Sequence, residues 1–122
     1  MQVSKQTINP KVSQDLNLAF IQLITDLRSN EDVRIVLDVL LSETERIAIT
    51  KRLGIAVFLD KGWSYDKIKQ NLKVSSATIA SIQERMGSPG LKAAVEKIQV
   101  NIMADSLAEK LFKMFPFIRT KV

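Results

Sequence analysis

Apolar residues recur along this chain at helical spacing, not strand spacing. After Pro10 they fall at Leu16, Phe20, Leu23, Ile24 and Leu27, a single stripe down to Arg28 with the rhythm of an amphipathic helix. Asn9 and Pro10 mark its start: a side-chain acceptor at the cap, then a residue whose missing N–H costs nothing at the first helical position. A second helix is predicted in "SNEDVRIVLDVLL". There Asn30 is expected to cap, and Glu31 and Asp32 suit the positive end of the helix dipole. Val33, Val36, Leu37 and Leu40 supply the stripe.

The third helix breaks this pattern. "SETE" at 42–45 is a capping box, with Ser42 as cap and Glu45 three residues on. The helix it opens should run to Lys61 and stop at Gly62. Ile47, Ile49, Leu53, Ile55, Val57, Phe58 and Leu59 lie on nearly all of its sides. A helix apolar all round is buried all round, and so short a chain has little else with which to enclose it. A second subunit is the natural cover, so an obligate homodimer is expected.

Two short helices follow. Ser64 caps one that runs to about Leu72, a break falls at Lys73 and Val74, and Ser75 caps another to about Met86. "GSPG" at 87–90 is a stop, and a long last helix should extend from about Leu91 to Phe112 through Ala94, Ile98, Ile102, Leu107 and Leu111. The tail is apolar at Phe112, Phe115 and Phe117, expected to pack on a partner subunit, and then basic in "IRTKV".

Two short helices joined by a tight turn and flanked by longer ones form a helix-turn-helix layout, here about residues 64–86. It needs Ile68 and Leu72 one turn apart facing inward, Val74 plugging the turn, and Ile79 and Ile82 anchoring the second helix. All five are present. At 100° per residue Ala77, Ala80, Ser81 and Glu84 then fall on the outer side, the side that would enter a DNA major groove with its N-terminal end first. Lys73 stands in the turn where Gly is frequent; a left-handed lysine there costs on the order of 1 kcal/mol. The same five apolar residues also suit a helical hairpin built for packing alone. A dimeric scaffold without sequence-specific DNA binding is therefore the competing reading, and the outward Glu84 and the scarcity of arginine on that face favour it.

Composition narrows the chemistry. The 122 residues are 46% hydrophobic and 25% charged, with only 4 Gly and 3 Pro, which suits a single helical domain spanning 1–122. With no Cys and no His, disulfides, thiol catalysis, the usual zinc sites and the commonest general base drop out. No carboxylate or lysine cluster takes their place, so no enzyme, catalytic residue, metal or cofactor is expected. The chain holds no long apolar span and no signal-peptide core, so a cytoplasmic protein without a membrane partner is expected. The net charge of +5 fits a polyanion such as double-stranded DNA and equally a solvated surface. Across 61–73 four lysines (Lys61, Lys67, Lys69, Lys73) stand against Asp66, a local charge of +3. These would frame a reading helix and supply phosphate contacts, leaving specificity to the bases.

The stretch "LLSETERIAITKRLGIAVFLDKGWSYDKIKQNLKVSSATIASI", followed by "GLKAAVEKI", resembles the Trp repressor family. The resemblance is carried by Leu41, Ser42, Glu45, Arg46, Arg52, Gly62, Ser64, Ile68 and Ala77-Thr78-Ile79. It implies an all-α fold of about six helices in an intertwined homodimer. It also implies two reading heads set about one DNA turn apart on a near-palindromic operator, and a transcriptional regulator, most simply a repressor. By the family's pattern the DNA-facing positions are Ser76, Ala77 and Ala80, with Tyr65, Asp66 and Lys69 in the preceding helix. Lys73, Ser75 and Thr78 complete the expected DNA-binding set.

The departures are informative. Relatives that read a guanine directly use arginine at the position of Asp66; a carboxylate accepts from cytosine instead, so the operator should differ. The family's tryptophan lies between two arginines beside a glycine. Ser42 and Arg52 stand at positions of that effector pocket, but Ser81 replaces the second arginine and Ile82 the glycine. The bulk of Ile82 and the lost bidentate carboxylate partner argue against L-tryptophan, leaving the small-molecule effector unknown. Arg52 equally suits a salt bridge at a dimer seam.

Overall fold

The computed structural model describes residues 3 and 6–114, with side chains as far as residue 102. The side chain of Phe112, and Phe115, Phe117 and "IRTKV" with them, lie outside the described residues. Six helices and no strand make up the described residues: α1 (Pro10–Asp26), α2 (Asn30–Leu40), α3 (Glu43–Asp60), α4 (Tyr65–Leu72), α5 (Ser76–Gln83) and α6 (Pro89–Met114).

The helix starts follow local side-chain chemistry. Asn9 Oδ1 accepts from the amides of Lys11 at 2.9 Å and Val12 at 3.4 Å, ahead of Pro10. For α2 the cap is Ser29, not Asn30. Ser29 has the extended backbone a cap requires (φ −125, ψ 153), and its hydroxyl accepts from Asp32 N at 3.1 Å; Asn30 is already helical. The capping box of α3 closes in both directions: Ser42 N donates to Glu45 Oε1 at 2.9 Å, and Glu45 N donates to Ser42 Oγ at 3.1 Å. The Ser42 amide and hydroxyl hold the exposed Glu45 carboxyl below the usual carboxylate range.

The chain divides into two compact units, Met1–Ala48 and Ile49–Val122. In the first, Arg46 at the start of α3 pairs with Asp38 of α2. No residue of α1 or α2 is buried; Leu16 is 59% and Phe20 49% exposed.

The second unit holds the core. Ile55 and Ala56 of α3, Ile68 of α4, Ile79 and Ile82 of α5 and Val95 of α6 pack together. Fully burying an isoleucine is worth about 1.5–3 kcal/mol, and Ile55, Ile68 and Ile79 each reach zero exposure. The expectation that α3 is covered all round holds, within one chain, only for its C-terminal half: Ile47 and Ile49 remain 46% and 47% exposed. Val95, not Ala94 or Ile98, is the α6 residue in this core.

Helix α3 ends at Asp60, one residue before the expected Lys61, in a Schellman turn. Gly62 takes φ 81, Trp63 N donates to Phe58 O and Gly62 N to Leu59 O, both at 3.0 Å. The hydrophobic contact that accompanies such a turn is a ring stack, Trp63 on Phe58 with centroids 4.0 Å apart and 1° between planes. Helix α5 stops at Gln83, short of the expected Met86. Beyond it Arg85 N and Met86 N reach back three residues, to Ile82 O and Gln83 O, the tightened form common at helix ends. Helix α6 begins at Pro89, earlier than Leu91, because Ser88 caps it: Leu91 N donates to Ser88 Oγ at 3.4 Å, with Pro89 at the tolerated first position.

Candidate nucleic-acid interface

Helices α4 and α5 and the turn between them form a helix-turn-helix within the second unit. Each short helix starts on a serine: Lys67 N donates to Ser64 Oγ and Thr78 N to Ser75 Oγ, both at 3.2 Å. Ile68 faces the core from α4 and Ile79 and Ile82 from α5, with Leu72 and Val74 packed at its edge. Lys73 ends α4 in a left-handed conformation (φ 55, ψ 55). Among the described residues it is the one non-glycine with positive φ. Lysine occupies the place despite its cost, and the turn keeps its geometry.

The five core-facing residues fix which side of α5 looks outward. Ser76, Ala77, Thr78, Ser81 and Glu84 are exposed and Ala80 is half-buried. Ser75 and Thr78 share a hydroxyl–hydroxyl hydrogen bond of 2.9 Å, so both first shape the N-terminal turn of α5. What remains outward is a surface of the short side chains of Ser76, Ala77, Ala80 and Ser81, with the Glu84 carboxylate just past the C-terminal end of the helix. On α4, Tyr65 and Asp66 are exposed in the first turn, where the Asp66 carboxylate also favours the helix dipole. Lys69 is half-buried and Lys73 exposed. The structure thus gathers Tyr65, Asp66, Lys69, Lys73, Ser75, Ser76, Ala77, Thr78 and Ala80 on one two-helix module.

Two lysines outside that set also belong to the module's frame. Lys67 Nζ lies 4.0 Å above the Trp63 ring, a cation–π contact that makes a three-layer stack with Phe58. Lys51 Nζ, on α3, donates to Lys73 O at 3.3 Å. Lys51 and Lys73 are 22 positions apart, and no periodicity connects them.

The four effector positions fare differently. Ser42 lies in the first unit, its hydroxyl engaged in the capping box. Arg52, Ser81 and Ile82 lie in the second. Arg52 and Ser81 are exposed, and Arg52 has no ion pair within the described residues. Ile82 is 8% exposed and part of the core. A groove of about 800 Å³ opens elsewhere in this unit, among Leu59, Gln83, Met86, Leu91 and Val95, and none of the four lines it. No group of acidic residues able to hold a metal ion occurs among the described residues, and no helix of theirs is long and apolar enough to cross a membrane.

The described residues are all-helical apart from turns and caps, and two short serine-capped helices meet there at a tight turn. The family model for the Trp repressor protein matches residues 14–99, and the chain belongs to that family. Membership suggests a DNA-binding regulator, in a family that is generally non-enzymatic. Comparison with curated proteins and with solved structures gives no match.

Proposed function

We propose that this protein is a sequence-specific transcriptional regulator, most simply a repressor, that reads a near-palindromic operator as a homodimer and does not respond to L-tryptophan. The observation that carries the reading is the outer face of α5. Ile79 and Ile82 are committed to the core, which leaves small side chains outward beside the exposed Lys73 and the half-buried Lys69. Affinity then comes from lysine–phosphate contacts and the free N–H groups at the Ser75 end of α5. Discrimination comes from Ser76, Ala77, Ala80 and the Asp66 carboxylate.

The homodimer is supported by apolar side chains left exposed in one chain: Leu16, Phe20, Leu23 and Ile24 along α1, and Ile47 and Ile49 on α3. Exposed apolar surface on this scale marks an interface. Sedimentation at micromolar concentration is expected to give twice the chain mass; a monomer contradicts it. The tryptophan part rests on Ile82, whose side chain fills space that the family keeps open, and on Ser81 in place of an arginine. Calorimetry is expected to detect no saturable L-tryptophan binding, and micromolar binding would refute this part alone.

The whole reading is tested by selecting bound sequences from a random duplex pool. Enrichment of a motif with two inverted half-sites about one helical turn apart is expected. Recovery of unenriched sequence refutes it in favour of a scaffold.

A further inference from the structure

The turn that joins the two helices of the reading module is held from outside the module. Lys51 Nζ donates to the Lys73 carbonyl at 3.3 Å. One helical turn further along α3, Gly54 takes the end of α4 so closely that a Cβ there would stand 3.2 Å from Leu72 Cδ1. Lys51 and Gly54 therefore seat two consecutive residues, Leu72 and Lys73, on one patch of α3. The carbonyl that Lys51 grips belongs to the peptide plane between Lys73 and Val74. That plane follows the left-handed residue and precedes Ser75, the cap of α5, so its orientation sets the direction in which α5 leaves the turn. At its other end α4 is secured by the Phe58–Trp63–Lys67 stack. Helix α4 is thus tied to α3 at both ends, and the tie nearer α5 is polar. Lys51 is half-buried while Lys73 is exposed, a division that suits one lysine for holding the turn and the other for meeting a phosphate.

We propose that Lys51 is a positioning residue for DNA reading: its ammonium fixes the Lys73–Val74 peptide on α3 and so aims the outer face of α5. The role rests on the assignment of α4 and α5 as the reader.

The test uses the full chain as wild type, Lys51→Met and Lys51→Arg, titrated across a salt series against a pool-selected duplex and an unrelated one. Amide hydrogen exchange over 74–79 is followed without DNA. Lys51→Met is expected to weaken the selected duplex about tenfold, the size of one hydrogen bond from a charged donor. The unrelated duplex should weaken less than about twofold at an unchanged salt slope, because no phosphate contact is lost. Exchange at Thr78 and Ile79, whose amides donate to Ser75 Oγ and Ser75 O, should accelerate, and Lys51→Arg, which restores a donor, should recover most of both effects.

Equal loss on both duplexes with a flatter slope makes Lys51 a phosphate contact and overturns the proposal. Unchanged affinity and exchange overturn it as well. A wild type that prefers no duplex refutes the DNA-reading assignment itself, and the role given to Lys51 falls with it. Failure of Lys51 alone is distinguishable, since it requires a wild type that discriminates between the duplexes.

Discussion

Replacing Lys73 with glycine should make the protein more stable and a poorer DNA binder at once. Lys73 holds φ 55 and ψ 55, a conformation that costs a side-chain-bearing residue roughly 1–2 kcal/mol and glycine nothing. Glycine also widens the unfolded ensemble, which offsets about 0.4–1 kcal/mol of the relief. The Lys51 hydrogen bond survives, because its acceptor is the Lys73 backbone carbonyl. The net expectation for Lys73→Gly is a gain of about 0.5–1 kcal/mol, a rise of roughly 2–4 °C in melting temperature for a chain of this size. Thermal unfolding is followed by circular dichroism and by the fluorescence of the single tryptophan, Trp63. Anisotropy titration of a labelled duplex gives the other half. Loss of one phosphate-contacting lysine per subunit lowers the slope of log K against log salt by about 0.9 per contact. Lys73→Asn separates the two effects, since asparagine tolerates the left-handed region but carries no charge. It should bind as weakly as the glycine variant. A Lys73→Gly protein that melts below wild type refutes the strain argument, and one that binds DNA with an unaltered slope removes Lys73 from the phosphate contacts.

Other perturbations probe neighbouring parts of the account. Ile79→Ala empties a fully buried position shared by α3, α4 and α5 and should cost about 2–5 kcal/mol, read by chemical denaturation; a cost below about 1 kcal/mol contradicts the core described. Lys69→Ala should weaken all duplexes to a similar degree and flatten the salt slope, and unchanged binding to every duplex means that the docking is wrong. Glu45 has its carboxyl held low by the Ser42 amide and hydroxyl. Its contribution is therefore present above the ordinary carboxylate pKa and lost as the pH falls through the lowered one. Glu45→Gln should melt below wild type at neutral pH, and the two should converge in acid; a gap that persists unchanged in acid rules out the charge as its cause.

The parts of the fold that were legible in the sequence are those fixed within a few residues. Asn9, Ser42, Ser64 and Ser75 cap their helices through bonds to amides two or three positions on, and such bonds leave a signature in residue type and spacing. Ile68, Ile79 and Ile82 followed from the helical period alone. Where two cap-competent residues adjoin, as at Ser29 and Asn30, composition does not choose between them, and backbone geometry does. No glycine or proline marks the end of α5 at Gln83; the chain simply exchanges four-residue for three-residue hydrogen bonds there. Ala94, Val95 and Ile98 all suit a core position on α6 by residue type, and only the seating of that helix selects Val95.

For the site, the outward face of α5 could be read as soon as its inward face was known. The ties that hold the module could not. The bond from Lys51 to the Lys73 carbonyl and the approach of Leu72 to Gly54 join residues far apart in sequence, and neither has a local pattern. The Phe58–Trp63 stack was closer to the surface of the sequence: Gly62 signals the turn, and a Schellman geometry brings the residue after the glycine back over the last turn of the helix. Of the four positions expected to form an effector pocket, Ser81 and Ile82 depart from the pattern of the family, and the side chain of Ile82 is spent on the core.

The claim at the centre of this account is that the outer face of α5 meets base edges, and an altered-specificity selection tests it most directly. Ser76 is exposed in the first turn of α5. Ser76→Asn places there a side chain suited to paired hydrogen bonds with adenine, while the core residues and the lysines stay as they are. Selection from the same random duplex pool should return, for the variant, a motif changed toward adenine at one symmetry-related position in each half-site and otherwise the same as the wild-type motif. An identical motif bound with uniformly altered affinity, or no motif for either protein, would contradict the claim.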